Sequence, residues 1–340
     1  MDDHVMYLET GSDDPYYNLA FEEYVLTHRM QGNYLILWQN DNTIVVGCNQ
    51  NTEAEINRPF VEAHHIRVVR RSTGGGAVYH DLGNLNYSFI TDNTPNQKLA
   101  MQRFTQPVVS VLRDLGLHAE ASGRNDILVE GRKVSGTAQR IYKNRILHHG
   151  TLLFCSNPSA VEGALRVDPA KFQSKNIQSV RSRIGNIRDY LQNDMTLPDF
   201  WSYLKNSLAG KGAIESTLSP KELQQVQQLK QDKYATWEWN YGQSMPYTVS
   251  NCHRFAAGTL DIRVNVEKGR ITACNFFGDF LSICSLQPLK EALVGCRFCR
   301  DEITSILAEF DLQAMFGGIS LQNIVDVMLA ADDSERSEEI

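Results

Sequence analysis

Residues 70–90 read RRSTGGGAVYHDLGNLNYSFI, and the interpretation of the whole chain starts from this stretch. Two arginines and the pair Ser72-Thr73 precede three consecutive glycines. Glycine weakens a strand and loses much entropy on folding, so such a run is useful where another group approaches the main chain closely. The preceding arginines indicate that this group is anionic. A glycine-rich hairpin turn with solvated arginines is the alternative that the run alone leaves open.

Strands and helices flank this stretch on both sides. Alternating or β-branched runs predict strands at residues 34–38, 43–47, 66–70, 84–90, 126–130, 133–141 and 146–154. Helices are predicted after Asp14-Pro15, across residues 98–115, where Pro107 should kink or divide the helix and Gly116 should end it, and after Ser219-Pro220. A sheet-rich region with helices at its ends predicts the α+β class.

The length of 340 residues favours two domains. We expect a large mixed-sheet domain at residues 1–245, a linker at 246–252 and a small α+β accessory domain at 253–340. The accessory domain should contain a β-hairpin, because residues 260–266 alternate strictly, 267–269 form a turn and 271–277 return. Helices at 289–294, 301–310 and 321–331 should complete it, followed by an acidic tail.

Composition excludes several classes of protein. A net charge of −7 gives no basic surplus for nucleic-acid binding. The acidic N-terminus lacks the features of a secretory signal, and no apolar segment has the length of a membrane span, so we expect a cytoplasmic protein without a membrane partner. The seven cysteines are scattered and odd in number, which favours reduced thiols. Cys296 and Cys299 form a lone CxxC, which is weak evidence for a metal site.

A second polar, glycine-punctuated region covers residues 122–151. In it Lys133 begins a strand and is followed by the small residues 135–138, which leave room for a ligand against that strand. Two such segments with cations indicate a phosphate-bearing ligand. The chain contains no P-loop, and the glycine run lacks the dinucleotide-binding pattern, so a nucleotide should lie on a sheet. Residues 168–183 read as a long basic loop, and such loops are often functional.

Taken together, these segments resemble lipoate–protein ligases. The resemblance rests on the ordered set RRSTGGGAVYHDLGNLNYSF, ASGRNDI, GRKVSGTAQR, HHGTLL and SVRSRIGNI, supported by NLAFEE and VVGCNQN, and it spans nearly the whole chain. It implies a mixed-sheet catalytic domain similar to that of biotin ligases, and a monomer. It also implies the use of ATP and Mg²⁺ to convert lipoate to lipoyl-AMP, and transfer of the lipoyl group to a lysine. The implied acceptors are lipoyl domains of 2-oxoacid dehydrogenase acyltransferase subunits and the glycine-cleavage H protein.

The resemblance also implies roles for individual residues. Lys133 would be catalytic, contacting both the nucleotide and lipoate. The nucleotide or adenylate would be bound by Arg71, Gly76, Ala77, Val78, Tyr79, Lys133 and Asn125. Lipoate would be bound by Ser72, Gly74, Gly75, Lys133 and His149. Asp126 is the candidate Mg²⁺ ligand, and the loop at 168–183 would close over the adenylate. For Asn125, a structural role in a turn is an equal alternative, and for His80 and His149 we favour a structural role.

Three other functions remain in competition. A cysteine-dependent octanoyl- or lipoyl-transferase shares the scaffold, but residues 118–125 before the lysine strand contain no cysteine. Cys48, where many relatives carry arginine, and Cys155 lie elsewhere. Biotin ligase is a second alternative, which the motifs disfavour. A non-catalytic lipoate-binding protein is the third, and the presence of Arg71 and Lys133 disfavours it.

Overall fold

The computed structural model describes residues 4–93, 101–123, 125–157, 163–165, 184–210, 212–242, 248–267 and 269–330. Within these residues the chain forms one eight-stranded sheet and two three-stranded sheets, with helices packed against them. The predicted α+β class is confirmed. The predicted basic loop at 168–183 and the acidic tail lie outside the described residues.

Each predicted strand occurs close to its predicted position. In chain order the described strands are β1 (Val5–Glu9), β2 (Asn33–Trp38), β3 (Thr43–Val46), β4 (Arg67–Arg70), β5 (Val78–His80), β6 (Asn84–Asp92), β7 (Ala119–Ser122), β8 (Asp126–Val129), β9 (Arg132–Tyr142), β10 (Arg145–Leu153), β11 (Ile214–Glu215), β12 (Val249–Phe255), β13 (Gly258–Glu267) and β14 (Arg270–Phe277). Five of these strands, β1, β5, β7, β11 and β12, were not predicted. The helices are α1 (Pro15–His28), α2 (Thr52–Glu55), α3 (Arg58–Ala63), α4 (Met101–Asp114), α5 (Leu197–Ala209), α6 (Pro220–Leu229), α7 (Trp237–Asn240), α8 (Gln287–Leu293), α9 (Arg300–Leu307), α10 (Leu312–Phe316) and α11 (Leu321–Met328). A 3₁₀ turn covers Ile187–Tyr190 and a π-helical turn covers Lys230–Tyr234.

The large sheet has the strand order β11-β1-β2-β6-β10-β9-β8-β7. Its first three strands run parallel and the remaining neighbours run antiparallel, so the sheet is mixed. Helices α4 and α5 cover one face, where Val108, Leu112, Phe200 and Leu204 enter the core. Helices α1 and α6 cover part of the other face. The rest of that face is left for the small sheet and the cleft beneath it.

The small sheet has the order β4-β3-β5. Successive side chains of a strand point to opposite faces, and here Val45 and Val69 pack toward the large sheet and α1. Ile44, Val46 and Val68 point away and form a separate core with α3. The small sheet therefore forms the roof of a two-layer structure whose floor is the large sheet.

Helix starts follow their local signals. The Asp14 carboxylate accepts a hydrogen bond from the Tyr16 amide at 3.0 Å, and Pro15 occupies the first turn, as predicted. Of the two outcomes predicted at Pro107, division does not occur, because helix α4 continues through this residue from Met101 to Asp114. Its buried residues Val108, Val111 and Leu112 pack against the sheet, and this packing outweighs the lost hydrogen bond.

The C-terminal unit contains the predicted hairpin β13–β14, but β12 pairs antiparallel with β13 and adds a third strand. Residues 249–252, which the sequence assigns to a linker, are therefore strand residues. Helices α8, α9, α10 and α11 pack on this sheet around a core of its own. After β14, residues 278–283 contact the large unit through three main-chain hydrogen bonds. These join Gly278 N to Asn49 O (2.8 Å), Gly75 N to Phe280 O (3.1 Å) and Ile141 N to Ile283 O (2.6 Å).

The side chain of Asn240 in α7 connects the end of the large unit to β4 through hydrogen bonds. Its Oδ1 accepts from the Arg70 amide at 2.8 Å, while its Nδ2 donates to the carbonyls of Tyr234 and Thr236. Asn240 is 3% exposed, so its removal leaves buried main-chain groups without partners. The side chain therefore contributes to stability through bonds that water cannot replace.

We expect Asn240→Ala to lower the free energy of unfolding by about 2–3 kcal/mol, because three buried hydrogen bonds lose a partner. Urea unfolding followed by circular dichroism measures this change. The control is Gln228→Ala, an exposed helical residue that bonds to Asp232, for which the change should stay within about 0.5 kcal/mol. Equal stability of the two variants would contradict the role given to Asn240.

Candidate active site

A cleft lies between the floor formed by the large sheet and the roof formed by the small sheet and the glycine segment. It contains about 630 Å³ of space free of protein atoms, counting its open mouth. The predicted residues that line it are Arg71, Gly75, Gly76, Ala77, Val78, Asn125, Lys133 and His149. The structure thus brings together residues from both glycine-rich regions of the sequence, which belong to different sheets.

The glycines of residues 74–76 make close contacts within the protein. A Cβ on Gly74 would lie 2.6 Å from the Ser282 amide nitrogen, and the Gly75 carbonyl oxygen lies where a Cβ on Gly47 would sit, at 2.1 Å. Gly75 also has a φ of 90°, which favours glycine. The predicted close approach to the main chain therefore occurs, but at Gly74 the approaching group is the C-terminal unit. Gly76 has only ordinary contacts around its Cβ position, the nearest at 3.7 Å.

Arg71 holds the glycine segment in place. Its Nε donates to Thr73 Oγ1, its Nη1 to the Val45 carbonyl, and its Nη2 to the carbonyls of Gly74 and Gly76. Burial lowers the pKa of the guanidinium to about 10, which leaves it charged at neutral pH. Four of its five N–H groups are occupied by these bonds. A direct phosphate contact, as predicted for Arg71, would therefore use the remaining Nη1–H.

His149 joins Arg71 to a buried carboxylate through Thr73. Its Nε2 lies 2.8 Å from Thr73 Oγ1, and its Nδ1 lies 2.8 Å from Glu22 Oε1. Glu22 in α1 is 2% exposed and also accepts from the Ser88 hydroxyl. Both ring nitrogens of His149 are thus engaged by protein groups. This network supports the structural role favoured for His149, although the residue also lines the cleft.

Lys133 reaches the cleft because β9 contains a bulge. Leu128 pairs with Lys133 while Ile127 pairs with Ser135, so one extra residue sits on β9. In a regular strand Lys133 and Gly136 would face opposite sides, whereas here Lys133 Nζ lies 3.2 Å from the Cβ position of Gly136. The absence of a side chain at Gly136 leaves room for the ammonium group above the sheet.

Asn125 precedes β8 and Asp126 is the first residue of that strand, beside this lysine. Asp126 Oδ1 lies 2.8 Å from Lys133 Nζ, and both side chains are about one third exposed. Asn125 Nδ2 donates to the Thr137 carbonyl at 2.9 Å, and its own carbonyl accepts from the Thr137 amide. Asn125 therefore ties the turn to β9, which is the structural role left open by the sequence, and it lines the cleft as well.

Four predicted site residues are not among the residues that line the cleft, namely Ser72, Gly74, Tyr79 and Asp126. Tyr79 faces the core on the other side of the small sheet and donates to Asn42 Oδ1, because its neighbours Val78 and His80 take the cleft side of β5. Its side chain therefore points away from the cleft, and the main-chain contact to the nucleotide predicted for Tyr79 stays a prediction.

Several cleft residues were missed by the sequence interpretation. On the floor, Trp38, Asn86, Thr151 and Gly136 form a row across four neighbouring strands. Leu19, Val45 and His80 surround one end of this row. Pairing of distant strands brings these residues together. The sequence did mark residues 135–138 as room for a ligand and placed His80 in a motif, but no local signal marks Leu19, Trp38, Val45 or Asn86. Glu22 could have been found, because a carboxylate inside an otherwise apolar helix needs a partner.

Comparison with known proteins agrees with this geometry. A family model described as the lipoyl protein ligase A/B catalytic domain matches residues 14–209, and one described as the bacterial lipoate protein ligase C-terminus matches residues 244–328. Lipoate–protein ligase 1 of Staphylococcus aureus is 41% identical over 317 residues, which cover 93% of this chain and 97% of the relative. The chain therefore belongs to the lipoate–protein ligase family.

Three solved structures are similar in fold. LipL1 of P. falciparum in complex with lipoate has a TM-score of 0.78 at 22% identity and covers 96% of this chain and 100% of its own. A bi-partite lipoate protein ligase of T. acidophilum, described with its E2 lipoyl domain, has a TM-score of 0.62 at 28% identity, with coverage of 73% and 100%. A lipoate-protein ligase A bound with ATP has a TM-score of 0.61 at 26% identity, with coverage of 72% and 100%.

Two features are absent from the described residues. No helix there combines the length and apolar character needed to cross a membrane. No group of three or more His, Cys, Asp or Glu side chains that could enclose a metal ion occurs in that part of the chain.

We expect Gly47→Ala to destabilise the protein by about 2 kcal/mol or more, because its Cβ would fall 2.1 Å from the Gly75 carbonyl oxygen and main-chain atoms yield with difficulty. Thermal unfolding measures the change. Gly76→Ala is the matched control, since its nearest contact is 3.7 Å away, and it should unfold close to wild type. A Gly47→Ala variant as stable as Gly76→Ala would contradict the close packing of Gly47 against the Gly75 main chain.

Proposed function

We propose that this chain activates free lipoate with ATP and transfers the lipoyl group to lysine side chains of lipoyl domains. The observation that carries the proposal is the position of Lys133 Nζ above Gly136, on the floor of a cleft whose roof is the glycine segment held by Arg71. Family membership supports it, as do related ligases solved with ATP and with lipoate. We further propose that it acts as a monomer in the cytoplasm.

In the first half-reaction, a lipoate carboxylate oxygen attacks the α-phosphorus of ATP and pyrophosphate leaves, giving lipoyl-AMP. Two anions meet in this step, and negative charge builds on the transferring group. Lys133 is placed to neutralise the carboxylate and an α-phosphate oxygen together and to align them. The remaining Nη1–H of Arg71 and the main chain of Gly76, Ala77 and Val78 would hold the phosphate side of the nucleotide.

Mg²⁺ would neutralise phosphate charge during this step. The ion usually binds one or two carboxylates and completes its shell with water and substrate phosphates. The Asp126 carboxylate is partly exposed and lies next to Lys133, so it fits such a site. Asp126 would hold the ion, which would supply positive charge to the phosphates beside Lys133.

In the second half-reaction, the acceptor lysine amine attacks the lipoyl carbonyl carbon, an amide bond forms, AMP leaves and the amine releases a proton. The mixed anhydride is already activated, so the protein mainly needs to position the amine. His149 is bound to Glu22 and Thr73, which disfavours it as the base. We propose lipoyl domains of 2-oxoacid dehydrogenase acyltransferase subunits and the glycine-cleavage H protein as acceptors. The ligase of T. acidophilum, described with an E2 lipoyl domain, supports the first of these.

A thiol-dependent transferase is the alternative mechanism on the same scaffold, and the positions of the cysteines disfavour it. Neither Cys48 nor Cys155 lines the cleft in the described residues. Burial raises the pKa of both thiols, outweighing nearby cations around Cys48, so both are protonated at neutral pH. A nucleophilic cysteine requires the opposite shift.

We expect wild type to catalyse lipoate-dependent exchange of radiolabelled pyrophosphate into ATP, and Lys133→Ala to lower its kcat/KM roughly 100- to 1000-fold, because a charge stabilising the transition state is lost. Arg132→Ala, which removes an exposed cation from the adjacent position, is the control and should retain near-normal exchange. Absence of exchange in wild type would refute the ligase function, whereas near-normal exchange by Lys133→Ala would refute only the role of Lys133.

We expect Cys48→Ser and Cys155→Ser to transfer lipoate to an apo lipoyl domain, because the proposed mechanism forms no thioester. Mass spectrometry of the acceptor after incubation with ATP, Mg²⁺ and lipoate measures the product. Loss of transfer with intact pyrophosphate exchange in either variant would instead favour the thiol-dependent mechanism.

A further inference from the structure

Two buried hydrogen-bond donors at one end of the cleft have no partner among the described residues. They are the ring nitrogen His80 Nε2 and the amide nitrogen Asn86 Nδ2. Both residues line the cleft, and they are 3% and 2% exposed. Buried polar groups in folded proteins are nearly always bonded, so two unbonded donors on residues that line one cavity call for a ligand or an ordered water.

The hydrogen-bond network fixes His80 as a donor at Nε2. Asn18 Nδ2 contacts the main-chain carbonyls of Ser12 and Gln39, which can only accept, so the orientation of this amide is determined. Because this nitrogen can only donate, the Asn40 atom 2.9 Å from it is the acceptor Oδ1, which shares one of its two hydrogens, and the Asn40 amide nitrogen faces His80 Nδ1 at 3.2 Å. His80 Nδ1 accepts, and the ring hydrogen lies on Nε2.

His80 also stays neutral. Burial, together with the nearby charges of Arg71 and His149, lowers the pKa of His80 to about 3. In the structure Asn86 Oδ1 accepts from Asn84 Nδ2 at 3.0 Å, and its Nδ2 is the atom left without a partner among the described residues. At His80, protein groups outside the cleft set the donor.

The walls around these donors are apolar. Leu19, Trp38, Val45 and Val78 line this end of the cleft. The Trp38 indole nitrogen donates to Ser88 Oγ, so Trp38 offers the cleft only its apolar surface. The end of the cleft thus suits an apolar group that carries a weak hydrogen-bond acceptor.

The distance from Asn86 to Lys133 matches the length of an extended eight-carbon acid. Asn86 pairs with Thr151, and the Gly136 amide donates to Thr151 Oγ1, so Asn86 and Gly136 lie two strands apart. Neighbouring strands are spaced by about 4.8 Å, which separates the two residues by roughly 10 Å. Lys133 Nζ lies above Gly136. A carboxylate held by this lysine would place the far end of an extended eight-carbon chain beside Asn86 and His80.

We propose that His80 and Asn86 recognise the sulfur-bearing end of the acyl substrate and determine the preference for lipoate over octanoate. This inference rests on the proposed ligase function. The dithiolane sulfurs of lipoate are weak acceptors that can meet the two donors, whereas the methyl end of octanoate leaves both unpaired. A site with buried donors disfavours a substrate that lacks the matching acceptor.

The experiment compares lipoate and octanoate in the pyrophosphate exchange assay with His80→Phe and Asn86→Leu variants. Each variant removes one donor, and the ratio of kcat/KM for lipoate to that for octanoate should fall roughly 3- to 10-fold, as expected for one modest hydrogen bond. His80→Gln, which keeps both an acceptor and a donor, should retain most of the ratio.

His148→Phe is the matched control. His148 is also fully buried, pairs through Nδ1 with Gln139, leaves Nε2 without a partner and is neutral, because burial and His149 lower its pKa to about 3. It lies on the opposite face of the large sheet, stacked on Phe104. Its replacement therefore has a similar effect on the core but should leave the substrate ratio unchanged.

A measurement on wild type keeps the proposal testable even where variants unfold. Cyclopentylpentanoic acid has the shape of lipoate with methylene groups in place of both sulfurs, and it should be used roughly 3- to 10-fold less efficiently than lipoate. Equal use of the two acids, or an unchanged ratio in folded His80→Phe and Asn86→Leu variants, would overturn the proposal and assign the donors to ordered water. Absence of exchange with every acid would instead refute the ligase function.

Discussion

The loops beside the cleft depend on the hydrogen bonds of two adjacent buried arginines at the end of β4. Arg70 donates to the carbonyls of Gly47, Cys48 and Gln50 and to α7, and Arg71 donates to those of Val45, Gly74 and Gly76. Neither guanidinium contacts a carboxylate among the described residues. Burying a charge is expensive unless polar groups replace its water shell, and here main-chain carbonyls do so. The two loops must therefore keep the conformations that turn these carbonyls toward the arginines.

This arrangement leaves positive charge close to the roof of the cleft. Glu22 is the carboxylate nearest to Arg71 in the hydrogen-bond network, but His149 and Thr73 stand between them, so the two charged groups are not directly bonded. Glu23, its neighbour in α1, is occupied by Arg140 and Lys233. Burial alone would raise the pKa of Glu23, but these two cations hold it below its usual range. The carboxylates of α1 are thus committed to structural pairs, and the region near the glycine segment remains suited to an anionic ligand although the whole chain carries a net charge of −7.

The elements that the sequence predicted are those with local signals. Alternating strands, the caps of α1 and α6 and the hairpin β13–β14 need only neighbouring residues. The first residues of strand β12, 249–252, were assigned to a linker, because the strand is mostly polar. Four of its seven residues are exposed, as befits an edge strand. Helix α5 was missed although Thr196 and Asp199 form a capping box with Pro198 in the first turn.

In the site, motifs identified Lys133 and Arg71, but the side of the sheet that Tyr79 faces depends on strand register. Trp38 and Asn86 reach the cleft only through pairing of distant strands, which no local pattern encodes.

The bulge in β9 places Lys133 in the cleft, where its ion pair with Asp126 is weak enough to be replaced. It turns Lys133 onto the face of Gly136, where Asp126 meets it at 2.8 Å. Because the lysine and the aspartate are 37% and 33% exposed, their ion pair is worth little, on the order of 1 kcal/mol or less. A more deeply buried pair would hold the lysine too firmly, and an unpaired lysine would lack a defined position. A weak pair at the cleft edge keeps the ammonium group in place and lets a stronger anion replace the carboxylate at small cost.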